Sequence, residues 1–282
     1  MTKNIILASV ALLISSIFFV INDAIINFLS SLNIKFYHFV FYGTPAYLSF
    51  PIYFLLKRDI KKHLRSTNYK ILLIRSLIFS PLPFITFLAL ENISLPEFTT
   101  LNMAAPLFGA VLAYYFLNEK MNFFIYLSLI IGFFGVLLVV QPGFENFNIY
   151  FLVTLFGVLL ITLSTTIVNK YNTIATTFGF FIWGGLIIHS SSIIFFIFDP
   201  LKVDLKVFLL ITIASIFINF AIFLATFSFK MAQKYYSGIF CLVYLQILWS
   251  SLVGYYIFDE YLNNYALIGA VLIIISGIIS VP

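Results

Sequence analysis

Residues 114–122 read Tyr-Tyr-Phe-Leu-Asn-Glu-Lys-Met-Asn, and residues 255–263 read Tyr-Tyr-Ile-Phe-Asp-Glu-Tyr-Leu-Asn. The stretches share the paired tyrosines, an Asn/Asp-Glu pair and a closing asparagine at a constant offset of 141 residues. That offset also sets Tyr42-Gly43 against Trp183-Gly184, and Asn22 matches Asn169 at an offset of 147. Chance similarity between apolar segments would scatter such matches, whereas here polar and aromatic matches cluster. We read them as one structural unit used twice. Each copy closes a series of apolar segments, so the number of segments per copy decides the fold.

The surroundings of these stretches demand an apolar solvent. Of 282 residues, 62% are hydrophobic and 9% charged, and the mean hydropathy is +1.11. A soluble domain carries about 25% charged residues and needs polar surface to cover its core. A membrane-crossing helix needs about 20 mostly apolar residues. Segments of that kind run over 5–31, 36–56, 69–91, 97–117, 122–140, 147–169, 174–198, 207–230, 235–257 and 264–281. Turn or charge signals separate them, such as Gln141-Pro142-Gly143, Asp199-Pro200 and the run from Lys57 to Lys70. The runs are continuous rather than alternating, which excludes a β-barrel. Lys3 followed by Ile5 to Phe19 resembles a signal peptide, but apolar segments continue to the end, so it reads as an uncleaved first span. The expected fold is therefore an all-α integral membrane protein, with ten transmembrane helices as two inverted five-helix repeats. The repeats cover residues 1–141 and 142–282. Five is odd, so the halves insert with opposite orientation, a recurring plan in secondary transporters with the substrate site at the repeat interface.

Lysine and arginine set the orientation. With the N-terminus inside, the inner face holds Lys3, Lys57, Arg58, Lys61, Lys62, Arg65, Lys70, Lys120, Lys170, Lys230 and Lys234. The outer face holds only Lys35, Lys202 and Lys206. Both termini are then cytoplasmic, in a multi-pass protein of a bacterial inner membrane. The net charge of +5 comes from residues flanking apolar runs, so nucleic acid is not a partner. The single cysteine, Cys241, cannot form an internal disulfide and reads as a small core residue. There is no P-loop, no HExxH and no cysteine/histidine cluster, so neither a cofactor nor a metal is expected.

The chain resembles the drug/metabolite transporter superfamily, specifically its EamA-type ten-helix members. The residues carrying that resemblance are Asn22-Asp23, Arg75, Ala105-Pro106-Leu107, Asn118-Glu119, Asp259-Glu260, Tyr244-Leu245-Gln246, Gly132 and Gly135. It looks most similar to S-adenosylmethionine uptake transporters, which often carry a glutamate where Gln246 stands. That departure removes a negative charge. The resemblance implies a cavity lined by helices 1, 3, 4, 6, 8 and 9, with helices 5 and 10 supporting it from the side.

Charged residues within a membrane are costly and mark functional sites by default. Asp23 is the leading candidate. Ser16, Asp23, Asn27 and Ser30 share one face of helix 1, with Asn22 beside them. Helix 6 carries the stripe Thr162, Thr166 and Asn169, which reads as helix packing for the threonines. Arg75, about 9 Å into helix 3, either snorkels to inner phosphates or meets an anionic group at a cavity mouth. Asp23 lies about 27 Å from the inner end of helix 1, so the two are not expected to pair directly. Asn102 enters helix 4 at a depth near that of Asp23. Pro106, Pro81 and Pro83 are candidate kinks. In helix 9, Gln246 and Trp249 share a face and are preferred as lining residues; Tyr244, carried by the resemblance, is a further candidate substrate contact, although it and Gln246 cannot both point straight into one cavity. Asn219 sits midway along helix 8 as a further contact. His189 reads as a packed neutral histidine. Glu119 and Glu260 read as structural, with Asn122 and Asn263 as N-caps.

These groups suit a small-molecule substrate such as an amino acid, an amine or a nucleoside-like metabolite, inside a lipid bilayer. Asp23 would act as a coupling carboxylate if a proton drives the flux, and an exchanged solute is the other source of drive. An intramembrane enzyme would need convergent acid/base or nucleophilic groups at one level, and scattered single polar residues do not supply them. A non-transporting scaffold has no use for inverted halves and polar stripes.

Overall fold

A computed structural model describes residues 3–120, 122–140, 148–258 and 264–280. Asp259-Glu260, Asn263 and the Gln141-Pro142-Gly143 break lie outside these residues. The described chain is helical throughout and contains no strand. The helices are α1 (Lys3–Ser30), α2 (Phe36–Leu56), α3 (Ile60–Leu64), α4 (Tyr69–Phe79), α5 (Leu82–Asn92), α6 (Leu95–Asn102) and α7 (Ala105–Leu112). After them come α8 (Phe123–Val140), α9 (Ile149–Lys170), α10 (Thr177–Phe198), α11 (Leu205–Ala232), α12 (Tyr236–Phe240), α13 (Gln246–Phe258) and α14 (Asn264–Ser280). Among the described residues, seven helical runs are long and apolar enough to cross a membrane: Asn4–Ser30, Phe36–Leu56, Tyr69–Asn92, Phe98–Leu117, Ile149–Lys170, Thr177–Phe198 and the 53-residue Leu205–Ile257. The last is not one straight rod. Gln233 takes φ 47° and ψ −118°, which ends α11 and redirects the chain into α12.

Side-chain caps fix five of the starts, because the first backbone N–H groups of a helix have no internal partner. Asn68, Asn122, Asn148, Thr176 and Asp204 each accept from a backbone N–H two or three residues on. Pro81 lies at the break between α4 and α5, and Pro83 sits in the first turn of α5, where its missing N–H costs no helical hydrogen bond. Residues 103–104 form a turn between α6 and α7, with Pro106 in the first turn of α7. A 3₁₀ segment, Cys241–Leu245, separates α12 from α13.

α1 packs along α11, and α8 along α14. α2 lies against α10 and α11, and α9 supports α4, α5, α6, α7 and α11. The bundle has two chemically distinct ends. At one, Lys170 sits 5.4 Å over the Phe116 ring, Thr176 Oγ1 donates to the His63 carbonyl at 3.2 Å and Trp183 Nε1 to that of Leu64 at 3.1 Å. This is the lysine-rich end, where α1 begins. At the other, Lys35 pairs with Asp199 at 2.8 Å, Tyr37 also donates to Asp199, and Tyr42 donates to the Leu201 carbonyl at 2.6 Å.

Candidate functional site

The helix breaks and the glycines on α2, α9 and α10 leave a central cavity of about 240 Å³. It draws residues from both halves of the chain. Asn22, Asp23, Arg75, Asn102, Asn219 and Gln246 all line it. Much of the remaining wall is apolar, including Phe19, Phe39, Phe79, Phe87, Phe181 and Ile188. α8 and α14 contribute no described residue to the lining, in keeping with the supporting place implied for helices 5 and 10. The lining is broader than the resemblance implies, however, because α2 supplies Gly43 and Tyr47, and α10 supplies Gly184, Gly185 and His189.

Asp23 is 7% exposed and takes one hydrogen bond, from Asn22 Nδ2 at 3.1 Å. Among the described residues no cation pairs with it. The Asn22 carbonyl oxygen is buried without a partner. Asn102 and Asn219 turn back on their own helices, donating to Phe98 O at 3.1 Å and Ser215 O at 2.7 Å, which leaves their amide oxygens as acceptors.

Arg75 is 2% exposed, so it does not snorkel. Its Nη1 donates to the Phe180 carbonyl at 2.5 Å, its Nε has no partner, and its guanidinium lies 5.7 Å from the Phe79 ring and 5.9 Å from that of Phe180. Among the described residues no carboxylate pairs with it. Gly184 makes this position available: a β-carbon there would stand 2.2 Å from Nη1.

Two residues named from sequence lie elsewhere. Tyr244 is fully buried beside Gly132, and its hydroxyl finds no hydrogen-bond partner. Trp249 is not among the lining residues, and its Nε1 is buried without a partner. In contrast His189, read from sequence as packing alone, both packs and lines the cavity. Its ring stacks 4.0 Å from that of Tyr47, and Nδ1 lies 3.0 Å from Thr44 Oγ1. No spacing rule signals it, since its partners come from another helix. Thr166 bonds to the Tyr236 hydroxyl at 2.9 Å, and Asn169 donates to Phe229 O and Gln233 O at 2.9 and 3.1 Å. The second-half stripe thus holds the α11–α12 bend, whereas its counterpart Asn22 lines the cavity.

Residues 2–141 match the EamA-like transporter family. No curated protein matches the chain. A protein of solved crystal structure superposes with a TM-score of 0.72, covering 96% of this chain and 96% of its own at 13% identity. At that identity the likeness shows the fold alone.

Proposed function

We propose that this multi-pass membrane protein, whose first half carries the EamA-like transporter match, is a secondary transporter of a small polar organic metabolite. The candidates are an amino acid, an amine or an S-adenosylmethionine-like compound. The observation that carries the reading is the central cavity: both halves line it, and it buries an aspartate and an arginine that no countercharge among the described residues answers. Buried unpaired charges are costly, and a transported polar solute supplies the missing partners.

The finer architecture belongs to this proposal. Ten spans arise if α8 and α14 cross and the run Leu205–Ile257 crosses twice, bending at Gln233. Two inverted five-helix halves, 1–141 and 142–282, are supported by the breaks in the helices. The turn at 103–104 in the first half and the 3₁₀ segment Cys241–Leu245 in the second overlap once 141 residues are added. The lysine-rich end faces the cytoplasm, the membrane is a bacterial inner membrane, and rocking of the halves alternates access to the cavity. Drive comes from a proton taken up at Asp23 or from an exchanged solute.

The test is transport in proteoliposomes with radiolabelled amino acids, polyamines and S-adenosylmethionine, with and without a proton gradient. Saturable flux of one compound, lost in Asp23→Ala and Gln246→Ala, is the expected result. Absence of flux for every compound from folded protein would count against transport. Flux that is pH-independent and survives Asp23→Asn would remove the proton from the scheme.

A further inference from the structure

We propose that the cavity recognises an elongated zwitterion, with a cationic head at Asp23, an anionic head at Arg75 and an apolar spacer between. The proposal rests on the transporter reading and narrows its substrate class.

The two charged groups are held apart by the packing of four helices. Ser15 donates to the Ala221 carbonyl at 2.8 Å and Phe18 meets Phe217 at 5.2 Å, so the positions of α1 and α11 that face each other sum to about 235. On that register Asp23 stands two to three residues beyond Ser215, away from the lysine-rich end. Gly43 lies against Ser215. Four residues on, toward the lysine-rich end, Tyr47 lies against Gly185, whose neighbour Gly184 touches Arg75. Six residues of offset correspond to roughly 9 Å along the helix axes. Counting from the ends of α1 and α4 gives a larger gap only because α1, at 28 residues, is about 42 Å long and exceeds the apolar thickness of a bilayer.

A single small ion cannot satisfy both groups across such a gap. An amine alone leaves the guanidinium unanswered, and an acid alone leaves the carboxylate unanswered. Removing one partner from a desolvated charge pair carries a large penalty, because the other charge stays buried. Phe79, Ile188 and Ile218 stand on the cavity wall at the intervening levels and offer contact to methylene groups, with Ser215, Asn219 and His189 adding polar atoms beside them. Two charges on one α-carbon sit too close together to meet both poles and to use this wall. A planar guanidinium with a free Nε suits a carboxylate or phosphate head.

The experiment is a competition series on the purified full-length protein, read by thermal shift and by titration calorimetry. The ligands are 4-aminobutanoate, 6-aminohexanoate and 8-aminooctanoate, with alanine and leucine as α-amino acids, and hexylamine and hexanoate as single-charge controls. One or more of the ω-amino acids should bind at least tenfold tighter than both single-charge controls and both α-amino acids. Arg75→Gln should abolish the preference over hexylamine while hexylamine still binds, and Asp23→Asn should abolish the preference over hexanoate. A purely structural role for Arg75 would weaken all ligands together and lower the melting temperature. That result, or α-amino acids or single-charge compounds binding as tightly as the ω-amino acids, would overturn the proposal. Failure of the whole series alongside saturable flux of another compound would overturn the zwitterion and leave transport standing. Binding without flux would do the reverse.

Discussion

The α8–α14 pair and the central cavity both bury polar atoms among apolar helices, yet they treat those atoms in opposite ways. Between α8 and α14, Ser128 and Ser276 exchange hydrogen bonds, each hydroxyl donating to the other's backbone carbonyl at 2.8 Å. Each donor is answered, and small residues let the two backbones approach, as is usual where membrane helices associate. In the cavity, Asp23 has one amide for company and Arg75 one carbonyl, with no countercharge for either among the described residues. Reciprocal satisfaction marks polarity that holds helices together. On the proposed function, unanswered charge is polarity kept for a ligand.

The largest expected effect tests the cavity side. Asp23→Asn should lower flux at limiting substrate by about 10- to 100-fold, the loss of one charge-assisted contact of about 1.5–3 kcal/mol. The melting temperature in detergent should not fall, because the substitution removes an unpaired buried charge. A loss of flux matched by a loss of stability would make Asp23 a packing residue and erase the distinction between the two regions.

The same glycine-to-alanine change in each region sharpens the comparison. At Gly132 the new methyl would stand 2.6 Å from the Tyr244 ring and 2.8 Å from Ser276 Oγ. A wedged ring has little room, so Gly132→Ala should cost about 1–3 kcal/mol of stability and leave the apparent affinity for substrate unchanged. At Gly184 the obstacle is the tip of Arg75, a flexible side chain that can swing aside. Gly184→Ala should therefore cost less stability and reduce flux several-fold by displacing the guanidinium. Melting curves and flux measured on both variants check the pair.

Much of the fold was legible in the sequence, because membrane helices declare themselves by long apolar runs and by the charges and turns between them. Asp23 and Arg75 were legible for the related reason that a charge inside such a run is conspicuous. The helix-9 residues were harder. Helical spacing grouped Gln246 with Trp249, and both lie on α13, but only Gln246, the first residue of that helix, reaches the cavity, because a shared helix face does not say how far along the helix the cavity extends. His189 and Tyr47 were invisible as a site because their proximity depends on Gly185, where a β-carbon would stand 2.7 Å from the Tyr47 ring. A single sequence does not say which glycines are close approaches.

A smaller effect belongs to the serine pair. Ser128→Ala and Ser276→Ala should each cost around 0.6 kcal/mol, the scale of hydrogen bonds between membrane helices. In the double variant the costs should fall only slightly short of additive, because each hydroxyl donates to a backbone carbonyl that the other substitution leaves in place and only the Oγ–Oγ contact at 3.1 Å couples the two. Full additivity in melting or denaturation midpoints would show that the two hydroxyls act independently.

The smallest effect lies between the two regions, where Glu119 joins the halves at the lysine-rich end. Asn118, in the left-handed region at φ 53°, turns the chain so that the Glu119 carboxylate accepts from Ser237 Oγ at 2.5 Å and faces the Ser237 N–H. Burial raises the Glu119 carboxyl above 4.5, and the bonds from Ser237 offset this only in part. The folded protein therefore holds a proton that the unfolded chain has released, so stability should fall as pH rises from 4.5 through the folded value. Asp199 titrates the other way and in a separate window: Lys35 and Tyr37 hold it below 3.8, so its contribution is lost only at lower pH. Partial solvent exposure of Glu119 keeps this slope shallow. Melting temperatures of the wild type and Glu119→Gln against pH isolate it, since the glutamine has no proton to lose. Parallel pH profiles would mean that this contact between the halves is insensitive to pH. A slope present only in the wild type would identify a titratable link between the halves at the lysine-rich end, separate from the charges proposed to meet the substrate.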